Sequence, residues 1–446
     1  MTASVFLRPL SSQSDVCSSR TSVAAAIMFL ALAVSSTTAR AFHPKRGSIY
    51  HNHHAYNPQL NSRPHPLIHQ MSQVDDPLSA TYAPHSTSNL DHYHIEHKRS
   101  IEDPAAYWFD KAYEFLDWEQ DFETVVDGSL AHGDVTWFAG GKLNVAYNAI
   151  DRHVQNGKAD QVAMIWEGDE PNQVRRITYR ELQQRVSQIA NALKARGVQK
   201  GDVVTLYMPM IPELAMTMLA CARIGAVHSV VFAGFSAEAL AQRITAAKSK
   251  TVVTANIGKR GGKSIALKDI VEKARQRENS DDVIEQILVW DHGNLLPKEE
   301  ATNGDVEEEE KSRPSFELGD KDVYMNALVD SQRPYCPPTT IDSEDNLFIL
   351  YTSGSTGQPK GLVHTTGGYA LYAAFTTKNT FDLSYGDIFA CVADCGWITG
   401  HTYVVYGPLL NGGTTFLFES TPVYPSKQDH SLSPRDKVLL CSSTCS

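Results

Sequence analysis

Residues 178–290 alternate between helix-period and strand-like segments, and this alternation admits few folds. "TYRE" at 178–181 is a capping box, with Thr178 as N-cap and Glu181 three residues on. It opens a helix that carries Leu182, Val186, Ile189 and Leu193 on one face and stops at Gly197. The strand "VVTLYM" follows the turn "KGD". Pro212 and Glu213 then suit the first turn of a helix ending at Gly225, before the strand "HSVVFAG". Ser236 can cap the helix "AEALAQRITAA", which leads into "KTVVTAN", and a further helix, "IALKDIVEKARQ", precedes "IEQILVW". Strands alternating with such helices require crossover connections. The expected fold class is therefore α/β, with doubly wound, mainly parallel sheets and helices on both faces. Ligands of such folds bind beyond the carboxyl ends of the strands.

The flanks are of other kinds. Arg8 and Arg20 precede the apolar run "VAAAIMFLALAV" at 23–34, and small residues follow as far as "ARA" at 39–41, the layout of a secretory signal peptide. The run is shorter than the ~20 residues of a bilayer span, so no stable membrane span is expected in the mature chain. Residues 42–74 lack Asp and Glu and are rich in His, Asn and Pro, as in a transit peptide. The expected organisation is a signal peptide-like segment at 1–41 and a transit-like leader at 42–90. Together they resemble the bipartite plastid address of algae with secondary plastids; a single secretory or mitochondrial presequence is the alternative. Residues 91–160 form an amino-terminal packing segment, with Tyr107, Trp108, Phe115, Leu116 and Trp118 at helix-like spacing. Between Asn294 and Pro338 the alternation of helix and strand lapses, and "KEEATNGDVEEEEKSRP" at 298–314 reads as an exposed acidic loop.

Charge and cysteine content narrow the partners. A formal net charge of −11 over 446 residues offers no general basic face for counterion release, so small molecules rather than nucleic acid are expected. Seven cysteines without regular spacing make no disulfide framework. Cys391 and Cys395 read as core. His92, His94 and His97, and the imidazoles of "HNHH" at 51–54, have no acidic or cysteine partners at suitable positions, so no metal site is expected there.

"LFILYTSGSTGQPKG" at 347–361 places small residues after an apolar strand. Thr352, Ser353, Gly354, Ser355, Thr356 and Gly357 offer hydroxyls and closely spaced backbone N–H groups, the glycines admit an anion without Cβ interference, and Lys360 adds a charge. The loop is neither G-x-x-x-x-G-K-[ST] nor G-x-G-x-x-G. Phosphate binding and a plain strand-to-helix turn both fit these residues. "KRGGKS" at 259–264 is likewise open: a glycine turn with Ser264 as N-cap, or Arg260 and Lys263 beside a helix amino terminus, suited to phosphate. In "CGWITGHTY" at 395–403, Trp397 reads as core and His401 as a satisfied buried histidine.

"YTSGSTGQPKG" closely resembles the signature loop of the AMP-forming acyl-CoA synthetases, the adenylate-forming superfamily. The resemblance extends through "WFAGGKLNVAYNAIDRHV", "YMPMIPELAMTMLACARIGAVHSVVFAGFSAEAL" and "ADCGWITGHTYVVYGPLLNGGTTFLFESTPVYP", and it points to the acetyl-CoA synthetase branch over residues 107–425. It implies that the loop grips the ATP phosphates. It also implies that Arg260, Gly261, Gly262 and Lys263 contact CoA, and that Trp397, Ile398 and Thr399 wall a small acyl pocket, Thr399 also lying near CoA. The implied substrates and cofactors are acetate, ATP, Mg2+ and CoA. Residues 161–425 then form part of the large ligase domain, and 426–446 a divergent tail in which the family's later segments and catalytic lysine are not found. An incomplete sheet would expose apolar edges. The alternatives are a propionyl-CoA or other short-chain acyl-CoA synthetase, and a truncated non-catalytic nucleotide- or CoA-binding protein or a fragment from a misread gene.

Overall fold

The computed structural model describes residues 90–446 apart from 130, 171–172, 278, 296–314, 353–358, 385, 422–423, 425–437 and 442–446. The leader, the acidic loop at 298–314 and Ser353, Gly354, Ser355, Thr356 and Gly357 therefore lie outside the described residues. Residues 98–446 form one compact unit.

Two sheets organise that unit. Their strands, numbered in chain order together with the separate two-stranded hairpin β6–β7, are β1 Val162–Glu167, β2 Val174–Thr178, β3 Val203–Tyr207, β4 Val227–Val230, β5 Thr251–Ala255, β6 Gly258–Arg260, β7 Lys263–Ile265, β8 Gln286–Trp290, β9 Asp322–Tyr324, β10 Asn346–Thr352, β11 Lys360–Thr365, β12 Ile388–Cys391, β13 Thr414–Phe418 and β14 Val438–Cys441. The larger sheet runs β9-β8-β5-β3-β4-β10-β11, parallel throughout except for antiparallel β11 at one edge. The smaller runs β14-β12-β13-β1-β2, with only the β1–β2 pair antiparallel. From β3 the chain moves to β4 on one side and then to β5 on the other. That reversal is a topological switch point, where open α/β sheets place their ligand crevice.

The longer helices within that unit are α1 Pro104–Phe115, α2 Tyr179–Ala195, α3 Pro212–Ile224, α4 Ala237–Ala247, α5 Leu267–Arg275 and α6 Thr366–Phe381. Local chemistry sets their ends as expected. Thr178 and Glu181 form the reciprocal capping box of α2, Gly225 closes α3 in the left-handed region, and Ser236 accepts from Ala239 N at the start of α4. Every residue of α3 is buried, because it is apolar on all sides and its few polar groups are tied down. Glu213 takes Arg175 of β2 at 2.9 Å, and Arg223 at its far end holds Asp151. The amino-terminal aromatics pack as expected: Tyr107, Phe115 and Leu116 are buried, and Phe375 of α6 meets Tyr107, Trp108 and Phe115 edge to face.

Four local readings are corrected. "KRGGKS" is not a strand-to-helix turn but the β6–β7 hairpin, and Ser264 lies in β7; the N-cap of α5 is Ala266, without a side-chain bond. Strands of three residues are too short to show a period, although Gly-Gly between them is a hairpin signal. The loop after β10 leads into β11 rather than directly into a helix, and β11 pairs with β10's otherwise open edge. Alternation resumes after the acidic insertion, since β9 extends the large sheet beyond β8. The tail, which shows little periodicity, contributes β14 at the edge of the small sheet. At the edge of the large sheet opposite β9, β11 exposes Leu362 and Val363.

Candidate active site at the strand carboxyl ends

Segments leaving the carboxyl ends of both sheets meet at the switch point. After β4 come Phe232 and Phe235; after β5, the β6–β7 hairpin; after β8, Asp291 and His292; and β10 ends on Thr352. The small sheet adds Asp169 after β1, the 394–400 turn after β12, and Glu419 and Ser420 after β13.

The hairpin is built by its glycines. Arg260 pairs with Lys263, leaving Gly261 and Gly262 as a two-residue loop at φ 61° and 75°. Positive φ at both central positions is the requirement of a type I′ turn, and only glycine meets it without strain. Cross-strand partners share a face, so the guanidinium and the ammonium project together from the ribbon, and both residues are exposed. Like charges directly opposite repel, and an anion between them relieves that repulsion. Arg260 also lies over the Phe232 ring at 5.4 Å.

The tip N–H groups, which could themselves have held an anion, are occupied. Asp169, 2% exposed, accepts from Gly261 N at 2.5 Å and Gly262 N at 2.8 Å, and Ser420 Oγ donates to it at 2.5 Å. A second tie joins the hairpin to β13. Lys259 N donates to Glu419 Oε1 at 3.2 Å, and the same oxygen takes His292 Nε2 at 2.7 Å, both side chains being buried.

Across the crevice, Trp397 is 49% exposed and Ile398 43%. Trp397 is therefore not a core residue, contrary to the expectation from its type. Its ring stands against Phe232 and Phe235, each at 6.0 Å, while Thr399 is half-buried. Close approach shapes the turn that carries them: a Cβ on Gly400 would fall 2.2 Å from Asp394 O, and one on Gly396 2.8 Å from the Phe232 backbone. Burial raises the Asp394 carboxyl to about 6, against the opposing pull of the Gly396 N–H and the Arg260 charge. His401 is fully buried, and its Nδ1–H donates to Trp397 O at 3.1 Å. Its Nε2 has no partner among the described residues, so it is only half satisfied.

Thr352 and Lys360 are Cα partners in the β10–β11 ladder, which holds the two ends of the phosphate-type loop side by side with Lys360 at its mouth. Arg243 of α4 stands beside Tyr351 at 5.9 Å and Phe235 at 4.6 Å, adding a cation near the same strand end. Arg243, Asp169, Glu419, His292, Phe232 and Phe235 escaped the sequence reading. "WEGD" after a buried strand was the available signal for Asp169, since strand ends are where such folds place their sites.

Residues 150–433 match the family described as AMP-binding enzyme, which is more than half of the chain. The chain belongs to the AMP-binding enzyme family. Residues 93–149 of this family member match a second description, acetyl-coenzyme A synthetase N-terminus. Acetyl-coenzyme A synthetase 2 of Pseudomonas aeruginosa is 50% identical over 337 residues, 76% of this chain and 49% of that protein. Acetyl-coenzyme A synthetase of Dictyostelium discoideum is 46% identical over 340 residues, 76% of this chain and 47% of that protein. The chain spans about half the length of the curated relatives it matches. Among solved structures, acetoacetyl-CoA synthetase from Streptomyces lividans superposes with a TM-score of 0.64 at 23% identity, over 75% of this chain and 47% of that one, which shows a shared fold.

Proposed function

We propose that these residues belong to an AMP-forming acetyl-CoA synthetase. A carboxylate oxygen of acetate attacks the α-phosphate of ATP and releases pyrophosphate; the CoA thiolate then attacks the acyl carbonyl and releases AMP. Both nucleophiles come from the substrates, so the protein contributes position and charge. The observation that carries the reading is the meeting, beyond one set of strand ends, of three parts: the loop mouth with Thr352 and Lys360, the facing cations Arg260 and Lys263, and the short apolar wall of Trp397 and Ile398. In this reading Lys360 and the loop hydroxyls hold the ATP phosphates, Mg2+ arrives on ATP as part of the substrate, Arg260 and Lys263 meet a phosphate of CoA, and Thr399 with Trp397 and Ile398 bounds the acyl group. The names of the relatives and the acetyl-coenzyme A synthetase N-terminus match support acetate as the acid.

The test joins this chain to the carboxyl-terminal half of the Pseudomonas relative and measures acid-dependent ATP–pyrophosphate exchange. Acetate is expected to support exchange, and propionate to run about 10- to 200-fold lower in kcat/KM, the discrimination one methylene gives in a fitted pocket. Equal rates would make the protein a general short-chain synthetase. No exchange with any short-chain acid would sink the proposal.

The leader reading stands beside it: residues 1–90 are proposed to direct the protein to a plastid in two steps. Fused to a fluorescent protein in an alga with a secondary plastid, they are expected to label that organelle. Labelling of mitochondria or the secretory pathway alone would replace the plastid assignment.

A further inference from the structure

We propose that Asp169 is a positioning residue, whose carboxylate holds the β6–β7 hairpin in the orientation that aims Arg260 and Lys263 at a phosphate of CoA; the identity of that ligand rests on the reading above. A two-residue hairpin with glycine at both tip positions has little rigidity of its own. Here its orientation is set from outside. The tip N–H groups of Gly261 and Gly262 end on separate oxygens of Asp169, so the carboxylate fixes tilt as well as distance. Asp169 is held in turn by Ser420 Oγ, and it leaves β1 of the small sheet while the hairpin leaves β5 of the large one. The bond therefore spans the two sheets across the crevice.

The clamp has a chemical consequence. Successive tip N–H groups at positive φ form a concavity that would itself attract an anion. The buried carboxylate already fills it, so an incoming phosphate is left to the Arg260 and Lys263 side chains on the ribbon face. Two backbone bonds to an ionised acceptor are of the stronger, charge-assisted kind. Losing them lets the cations drift from the ligand without removing either one. Asp169 touches no substrate in this account, so its loss acts through the hairpin alone.

The experiment uses the 446-residue chain with CoA as the probe, in wild-type, Asp169→Asn, Arg260→Ala and doubly substituted forms. Amide exchange at Gly261 and Gly262 and calorimetric CoA affinity are measured together. Gly262 is exposed and Gly261 half-buried, with Tyr424 and Thr421 beside them; rapid exchange of both amides in wild type overturns the proposal without any variant. Asp169→Asn is isosteric but offers a single acceptor. It is expected to release at least one amide and to weaken CoA binding about 10- to 100-fold, the scale of lost hydrogen bonds to a charged group. The double variant is expected to lose less than the sum of the two single losses, because only the aim of Lys263 is left to disturb, a non-additivity that general loosening of the fold would not produce. Unchanged affinity in Asp169→Asn, or full additivity, overturns the assignment. If wild type binds no CoA, the CoA reading of the hairpin fails, and the exchange data still decide the clamp: amides released in Asp169→Asn support it, and amides unchanged overturn it.

Discussion

Arg223→Met is expected to lower the unfolding free energy by about 3–5 kcal/mol, read as a fall in the urea midpoint. Arg223 is 1% exposed at the last turn of α3, and its guanidinium grips Asp151 through two bonds of 2.7 and 2.9 Å while Nε donates to Cys336 O at 2.5 Å. Gln183 of α2 donates to the same carboxylate at 2.8 Å. The pair thus ties α3 to the 147–151 segment, to α2 and to the 336 loop. Removing the cation leaves Asp151 buried and uncompensated, and this penalty, rather than the attraction lost, dominates the effect. Arg223→Met combined with Asp151→Leu is accordingly expected to regain most of the loss. A single-variant loss below about 1 kcal/mol would show that Asp151 is well solvated without its partner.

Acidification is expected to destabilise the fold steeply below pH 6.5, the ordinary value from which burial lowers four imidazoles, His364 and, further, three others. His401 is brought to about 4, His153 to about 3, and His228 well below its usual range. His228 stacks on Phe348 and His401 and meets Tyr406 Oη at 2.6 Å, deep between β4, β10 and the 401–406 helical turn. Each folded-state value lies below the unfolded one, so between them the unfolded chain binds more protons. The stabilisation is therefore complete above about pH 6.5 and is lost as pH falls toward the folded values. At pH 5 His401 and His153 each cost about 2 kcal/mol and His228 acts in the same direction, a large share of the stability of many domains. Asp394 works in the opposite direction: its value is raised to about 6, so the folded state takes up a proton there as pH falls. Urea midpoints at pH 7.5 and pH 5 measure the balance. A midpoint that is flat or rises on acidification would contradict it, and His401→Gln should flatten the slope by about one proton.

How far the site could be read in advance differed by element. α2, α3 and α4 were legible because each begins and ends on a local signal, a capping box, a proline or a glycine, that acts within one turn. The phosphate-type loop was legible because its small residues follow the apolar strand β10. Arg260 and Lys263 could be singled out as cations, but their facing geometry could not. It comes from a type I′ turn whose strands, at three residues each, lie below the length at which alternation shows. β11, β9 and β14 were missed for a related reason: as edge or short strands they exist because a neighbour's unpaired backbone groups accept them. Trp397 shows the limit of residue-type reasoning, since a tryptophan expected inside stands at the mouth of the crevice against Phe232 and Phe235.

By itself, the sequence determined the fold class, the family and the residue types that the proposed chemistry uses, because periodicity, caps and contiguous motifs act over a few residues and survive without context. Only the tertiary structure decided how those residues are presented. The clamp of Asp169 on Gly261 and Gly262, the Glu419–His292 tie and the Arg223–Asp151 pair join positions 72 to 127 apart in the chain. Such bonds form only when the two sheets close on each other and exclude water, since burial is what makes a carboxylate seek these particular donors.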